Sequence, residues 1–207
     1  MGVLTIVKMC LGFNYKKEKI GNLLILLSEE IRPLYITKLL KLLYLIDEES
    51  IKRIGIPVTW LDYKAWRLGP VSEPIYNLKF DGSLYPFVNV IQTSKGTKIE
   101  PATDFDDSEF SVYEMNLINQ IIRSYKRAPA DKLVEITHKK DGPWDKVVKE
   151  HNLNKKFNED DVGVSPYLVD LSILIKDQPD KLENYMVVKE SLEFEASLKE
   201  CDYVFSR

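Results

Sequence analysis

The sequence predicts a mainly α (α+β) protein, a helical domain around a buried central helix with a small β-hairpin element. Residues 37–50, which read TKLLKLLYLIDEES, are apolar on nearly every side apart from Lys38 and Lys41. A helix of this kind is usually surrounded by other elements. Apolar residues also recur at helical spacing before and after this stretch. Residues 87–100 instead have the composition of two short strands around a turn at 94–96.

The composition is that of a folded globular protein without a nucleic-acid partner. Of the 207 residues, 44% are hydrophobic and 29% are charged, which is ordinary for a globular domain. The net charge is −3, and the compact basic cluster at Lys16, Lys17 and Lys19 is small. Because nucleic-acid binders normally carry a basic surplus or stripe, we do not expect this chain to bind nucleic acid.

The sequence also predicts a cytoplasmic protein that does not cross a membrane. The apolar run of the central helix is far shorter than the roughly 20 residues that a membrane span needs. Cys10 and Cys201 lie near opposite ends of the chain, which is no disulfide framework and fits a reducing compartment. Residues 1–13 contain apolar side chains, but Lys8 interrupts the run and no signal-peptide cleavage site follows.

The elements of the N-terminal part follow from local signals. Residues 1–15 leave a short strand, an alternative start and a poorly ordered arm open. An amphipathic helix is predicted from Lys19 to about Arg32, because Pro33 disfavours a helix at the residue before it. The central helix comes next and ends at about Gly55.

Residues 58–71 read as a short extended segment because they are rich in β-branched and aromatic side chains. Gly69 and Pro70 predict a turn at its end. Ser72 is placed to cap a short helix that has Pro74 in its first turn.

The following helices are predicted from caps and helix breakers. Ser111 and Glu114 have the spacing of a capping box. The buried face of the helix they open is predicted to be Met115, Ile118, Ile121, Ile122 and Tyr125. Pro129 begins another helix that ends near His138. Its inward residues are predicted to be Leu133, Val134 and Ile136.

The last third of the chain is predicted to be a short helix, a loop and a long helix. The short helix follows Gly142 and Pro143 and carries Trp144. Residues 152–163 are polar and read as a loop. A final helix from about Asp180 is predicted to bury Leu182, Tyr185, Met186 and Leu192.

No catalytic, cofactor-binding or metal-binding constellation is predicted. The two histidines, His138 and His151, lack metal-ligand spacing and have no cysteine near them. The chain contains no P-loop, no glycine-rich dinucleotide turn and no nucleophile elbow. The carboxylate pairs at 106–107 and 160–161 lie in polar runs, where solvation explains them.

Polar and aromatic side chains in apolar surroundings leave alternatives open. The stem of Lys41 is predicted to pack while its ammonium reaches water or one carboxylate. Thr137 and His138 end a helix, where a histidine can cap carbonyls. Trp66, Tyr76 and Trp144 fit a core, but aromatic side chains also form interface hot spots. An enzyme with a cleft near Lys41, Thr137 and His138 is one alternative.

Several segments resemble the Panacea family of SocA-like antitoxin domains. They are residues 38–44 (KLLKLLY), 65–71 (AWRLGPV), 75–76, 114–125, 133–138 (LVEITH) and 142–144 (GPW). They follow one another in family order. Leu68 departs from the pattern, since an aromatic residue is common there. The resemblance marks the following positions as structural or partner-binding: Lys38, Lys41, Tyr44, Trp66, Gly69, Pro70, Val71, Tyr76, Thr137, His138 and Trp144.

The resemblance implies a two-part chain, with a Panacea-like domain over residues 1–155 and a C-terminal helical extension over 156–207 packed on it. It also implies a non-enzymatic antitoxin that neutralises a cognate toxin, encoded by a neighbouring gene, by direct contact and without a cofactor. One branch of the family instead delivers its toxin to a ClpXP-type protease as an adaptor. A DNA-binding regulator is a further alternative, disfavoured by the charge of the chain.

Overall fold

The computed structural model describes residue 12 and residues 16–80, 85–159 and 162–205, with side chains to residue 198. The alternatives for residues 1–15 fall outside the described residues except at Gly12. Cys10 and the carboxylate pair at 160–161 also lie outside them, as does the side chain of Cys201.

The described residues form a mainly helical protein, as predicted. They also form two small antiparallel sheets. The helices are α1 (Lys17–Glu30), α2 (Ile36–Ile54), α3 (Glu73–Asn77), α4 (Val112–Tyr125), α5 (Ala130–Thr137), α6 (Pro143–Glu150), α7 (Leu153–Asn158) and α8 (Pro179–Phe205). The strands are β1 (Leu34–Tyr35), β2 (Lys64–Trp66), β3 (Gly69–Val71), β4 (Val88–Thr93) and β5 (Gly96–Pro101). The sheets have the strand orders β1-β5-β4 and β2-β3.

Helix α2 is the centre of the fold, which confirms the prediction from its apolar run. Every residue from 38 to 47 is buried. The helix packs against α4, α5 and β3, and also contacts β5, α3 and α8. It ends where Gly55 adopts a left-handed conformation (φ 81°) and donates its N–H to the carbonyl of Ile51 at 2.8 Å. Glycine adopts this conformation without strain, so the chain turns away here.

Helix α1 is more deeply buried than its predicted amphipathic pattern. All residues from 20 to 28 are buried. Strands β4 and β5 pack against this helix, so it is covered on more than one face. The prediction of one exposed face was wrong. Asn22, a polar residue of this helix, is buried, and its side-chain oxygen accepts the N–H of Asp106 at 2.9 Å.

The segment before Ser72 forms a hairpin that the sequence did not predict. Strands β2 and β3 pair with Trp66 opposite Gly69, so the turn lies at residues 67–68. Gly69 and Pro70 belong to strand β3 and do not form the predicted turn. Ser72 precedes α3 as predicted, but its hydroxyl is buried and makes no capping hydrogen bond with any described residue.

A later segment extends this hairpin on its other edge. Ala65 donates its N–H to the carbonyl of Tyr167, and Arg67 donates to the carbonyl of Gly163, both at 2.9 Å. The hydroxyl of Ser165 donates to the carbonyl of Ala65 at 2.7 Å. Residues 163–168 are thus bound along β2, about 100 positions from it in sequence.

Two local predictions are confirmed in detail. Strands β4 and β5 form the hairpin around residues 94–95. At the start of α4, the N–H of Glu114 donates to the Ser111 hydroxyl at 3.2 Å, and the N–H of Ser111 donates to the Glu114 carboxylate at 2.8 Å. Glu114 also forms an ion pair with Lys19 at 2.6 Å, which joins α4 to α1.

Some predictions for the second half of the chain were wrong. Residues 153–158, predicted as loop, form α7, because Leu153 and Phe157 lie on one side and are buried. Leu117 is buried in α4, where Met115 and Tyr125 are only partly buried. In α5 the inward residues are Leu133 and Thr137, with Val134 and Ile136 partly buried. Met186 in α8 is 45% exposed.

The N-terminal part of α8 lies against the C-terminal end of the central helix. The ammonium of Lys181 donates to the carbonyl of Lys52 at 2.5 Å. The ring of Tyr185 stacks on Trp60, with centroids 5.4 Å apart. Among the described residues, no helix is both long and apolar enough to cross a bilayer.

Candidate functional site: a polar cluster beneath the β2–β3 hairpin

Lys41 lies in the middle of α2 and is the most buried lysine of the candidate residues. It is 1% exposed, and its ammonium donates to the carbonyl of Pro70 at 2.6 Å. No ion pair joins it to a carboxylate in the described part of the chain, so the predicted contact with water or a carboxylate was wrong. Burial disfavours the charged form and lowers the pKa of Lys41 to about 7.

Gly69 is the position where the polar groups converge. Its φ of +96° is in the left-handed region. A Cβ at this position would lie 2.7 Å from Thr137 Oγ1, 3.1 Å from Lys41 Nζ and 3.2 Å from His138 Nε2. Both the backbone conformation and the space therefore require glycine. Gly69 places the hairpin directly over three side chains that come from α2 and from the end of α5.

Thr137 and His138 close α5 with their backbone and hydroxyl groups. The Thr137 hydroxyl donates to the carbonyl of Val134 at 2.9 Å, and the N–H of His138 donates to the same carbonyl at 3.0 Å. The imidazole plays no part in this cap. Its Nε2 is buried and has no hydrogen-bond partner among the described residues. Burial and the neighbouring Lys41 lower the pKa of His138 to about 4, against the opposing effect of Asp145, so the ring is neutral at pH 7.

Aromatic contacts connect the cluster to α6 and α3. The His138 ring stacks on Trp144, with centroids 3.7 Å apart and planes 2° from parallel. Trp144 Nε1 donates to the carbonyl of Trp66 at 2.9 Å, and Trp66 Nε1 donates to the carbonyl of Ser165 at 3.2 Å. The ring of Trp66 meets Tyr76 edge to face, with centroids 4.7 Å apart. Trp144 is buried, whereas Trp66, Tyr76 and His138 are partly buried and pack against their neighbours with part of each residue exposed.

The remaining candidate residues also make internal contacts. Lys38 donates to the carbonyls of Lys126 and Ala128, at 2.8 and 2.7 Å, just after α4 ends. Tyr44 is fully buried and meets Tyr63 edge to face at 5.3 Å. Burial, with Glu48 as a lesser cause, raises the pKa of its phenol. Pro70 and Val71 are buried in β3.

The sequence reasoning missed one buried acid, Asp47. Its carboxylate accepts the N–H of Thr59 at 2.8 Å, the Thr59 hydroxyl, and the Tyr63 hydroxyl at 2.8 Å. Burial raises the pKa of Asp47 to about 6, although these hydrogen bonds oppose the shift. The available signal was an acidic residue near the end of an apolar helix, followed by hydroxyl side chains. Asp47 fixes the segment after α2 to the helix.

One cavity in the described structure lies away from this cluster. A cavity of about 430 Å³ opens between the end of α3 and β4. Its lining consists of Leu78, Lys79, Phe80, Pro86, Val88, Asn89, Val90 and Gln92, which include none of the candidate residues. The described residues contain no group of three His, Cys, Asp or Glu side chains that could hold a metal ion.

A family comparison covers the part of the chain that contains this cluster. The model of the antitoxin SocA-like, Panacea domain matches residues 39–145, just over half of the chain. The chain belongs to this family. No curated protein and no solved structure matches the chain. The Panacea match includes the whole polar cluster, the hairpin and Trp144, and it ends before α7 and α8.

A lysine with a lowered pKa beside a neutral histidine could in principle serve acid–base chemistry. In this Panacea domain, however, Gly69 lies directly over the cluster and the Lys41 ammonium is bound to a backbone carbonyl. A substrate would have to displace the hairpin to reach these atoms. The cluster connects α2, α5 and the hairpin.

Proposed function

We propose that this chain is a non-enzymatic antitoxin that neutralises a cognate toxin, the product of a neighbouring gene, by direct protein–protein contact in the cytoplasm. Membership of the SocA-like Panacea family supports the antitoxin role. The observation that carries the non-enzymatic part is the hydrogen bond from Lys41 to Pro70 beneath Gly69. It engages the most reactive side chain of the cluster in holding the fold together.

The residues that carry the family resemblance form a framework in this proposal, and partner contacts come from other surfaces. Lys38, Lys41, Thr137 and Trp144 all bind backbone carbonyls inside the protein. Groups that are already bound in this way have little left to offer a partner.

The proposal includes the division into a Panacea-like domain over residues 1–155 and an extension over 156–207. The contacts of Lys181 with Lys52 and of Tyr185 with Trp60 support an extension packed on the domain. We propose no membrane or nucleic-acid partner for either part.

Co-expression with the product of each flanking gene tests the proposal. Growth rescue together with co-purification of a stable complex is the expected result. Rescue without a complex, with toxin levels that fall only when a ClpXP-type protease is present, would instead support an adaptor. Failure to rescue growth from any flanking product would contradict the antitoxin proposal.

An enzyme that uses the cluster is the second candidate, favoured by one observation, the unpartnered Nε2 of His138 near the Lys41 ammonium. Substitution of His138 by Gln separates the two candidates. A folded His138→Gln protein should still rescue growth if the chain acts by binding. Loss of rescue with an unchanged thermal unfolding midpoint would favour the enzyme.

A further inference from the structure

Helix α8 exposes an apolar stripe on the side opposite to its buried residues. The stripe consists of Val187, Phe194 and Leu198, which are 59%, 65% and 50% exposed. Their spacing of seven and four residues places them on one face of a helix. Leu192 and Ala196 are only 8% and 7% exposed. Leu192 is two positions, or about 200° around the helix, from Phe194, so α8 has two distinct apolar faces.

The stripe is bordered by acidic side chains. Glu183, Glu190, Glu193 and Glu195 are all exposed. None of them forms an ion pair with a residue that the structure describes. Two of the three lysines of α8, Lys181 and Lys189, make internal contacts, and the side chain of the third, Lys199, lies outside the described residues. Lys181 binds the carbonyl of Lys52, and Lys189 lies over the ring of Tyr185. The outer side of α8 is therefore apolar along its centre and negative along its edges.

We propose that this stripe is the docking surface for a cationic, apolar-faced helix of the toxin. This inference rests on the proposed antitoxin function and assigns its partner contact to a segment beyond residue 145, outside the family match. Apolar side chains of the partner would cover Phe194 and Leu198, and its Lys or Arg side chains would meet the glutamates. Charge complementarity of this kind speeds association and selects the partner.

Charge also argues against a second copy of this chain as the occupant. Two α8 helices that packed through their stripes would bring glutamates close to glutamates, and juxtaposed like charges are destabilising. A partner with basic residues around an apolar face removes that repulsion. The occupant is therefore predicted to be a different, basic protein.

A labelled peptide tests the surface directly, without the toxin. The probe is a fluorescent amphipathic helix of leucine and lysine, and its twin has glutamate in place of lysine. We expect the intact protein to bind the lysine peptide and to ignore the twin. The doubly substituted Phe194→Gln/Leu198→Gln protein keeps the same net charge, so a loss of affinity of about tenfold or more would report the apolar contact alone.

Two further variants complete the design. Glu190→Gln/Glu195→Gln should weaken binding of the lysine peptide and reduce its dependence on salt. Val112 lies in α4, and its side chain is 80% exposed. Val112→Gln removes this apolar side chain far from the stripe in sequence and should leave binding unchanged. Circular dichroism checks that each variant is folded.

Four results would overturn the inference. They are no binding of the lysine peptide by the intact protein, equal binding by the Phe194→Gln/Leu198→Gln variant, equal binding of the glutamate twin, and a dimer of the intact protein that the same variant dissolves in sedimentation experiments.

Growth rescue distinguishes failure of this inference from failure of the antitoxin proposal. If the Phe194→Gln/Leu198→Gln protein rescues growth as well as the intact protein does, the antitoxin proposal stands and the docking surface is wrong. If the intact protein rescues nothing but binds the lysine peptide through the stripe, the antitoxin proposal fails while the surface remains a docking site for cationic helices.

Discussion

The ammonium of Lys41 donates a hydrogen bond to the carbonyl of Pro70 at 2.6 Å, and this bond joins the centre of α2 to the β2–β3 hairpin. A neutral amine can donate the same bond, so the contact does not require the charge. Burial makes the charge costly, and no carboxylate among the described residues forms an ion pair with it.

We predict that Lys41 makes the protein more stable as pH rises above 7. The pKa of Lys41 is about 7 in the folded protein and the ordinary pKa of a lysine is 10.5, so between these values the unfolded chain binds more protons. The free energy of unfolding of the intact protein, relative to Lys41→Met, should rise by up to about 1.4 kcal/mol per pH unit in this window. Urea unfolding between pH 7 and 9 measures it, with Lys132→Met at an exposed position as control. A constant difference would show that Lys41 is not buried as described.

Asp47 should make the protein less stable as pH rises, over a lower pH range than that of Lys41. Its pKa of about 6 in the folded protein is above the ordinary aspartate value of 3.8, so the folded state binds more protons between these two values. The contribution to stability is fully present below about pH 4 and is lost as pH rises through 6. The free energy of unfolding of the intact protein, relative to Asp47→Asn, should therefore fall from pH 4 to 6. A rise over that range would contradict the burial of this carboxyl group.

His138 should make the protein more stable as pH rises, over a pH range similar to that of Asp47. Its pKa is about 4 in the folded protein, against an ordinary histidine value of 6.5, so the unfolded chain takes up the proton first as pH falls. Stability relative to His138→Gln should increase from pH 4 to 6.5, by at most about 1.4 kcal/mol per unit. Urea unfolding of the His138 and Asp47 variants in parallel should show slopes of opposite sign, and slopes of the same sign would count against both environments.

Gly69→Ala should destabilise the protein more than Gly96→Ala does. Both glycines have positive φ, at 96° and 120°, so both substitutions carry backbone strain of about 1–3 kcal/mol. A Cβ at Gly69 would also lie 2.7 Å from Thr137 Oγ1, whereas a Cβ at Gly96 would lie 4.0 Å from the ring of Tyr35. Thermal unfolding of the two variants measures the difference. Equal losses would mean that the hairpin lies farther from α5 than described.

Trp66→Ala should impair folding before it impairs binding of the partner. Trp66 packs against Tyr76 and donates to the carbonyl of Ser165, and truncation of a packed tryptophan costs roughly 3–5 kcal/mol. The control is Leu68→Ala in the turn of the same hairpin, where the side chain is 56% exposed. Soluble yield and unfolding midpoint should fall for Trp66→Ala alone. A well-folded Trp66→Ala protein that has lost its partner would instead identify Trp66 as a contact residue.

Local signals were sufficient for much of the secondary structure. The apolar run identified α2, the spacing of Ser111 and Glu114 identified the start of α4, and the residues around 94–95 identified the β4–β5 hairpin. Each signal depends on neighbours within a few positions along the chain. The β2–β3 hairpin was missed because the segment that binds β2, residues 163–168, lies about 100 positions away.

The chemical sequence by itself determined the helical class, the central position of α2, the capping box of α4 and the family. The tertiary structure alone decided which polar groups meet, how Asp47 is bound, and which face of α8 stays exposed. The physical reason is that helix formation and capping depend on nearby residues, whereas burial, shifted pKa values and surface patches depend on elements brought together from distant parts of the chain. Lys41 shows both: the sequence placed it in a buried helix, and only the fold supplied the carbonyl of Pro70.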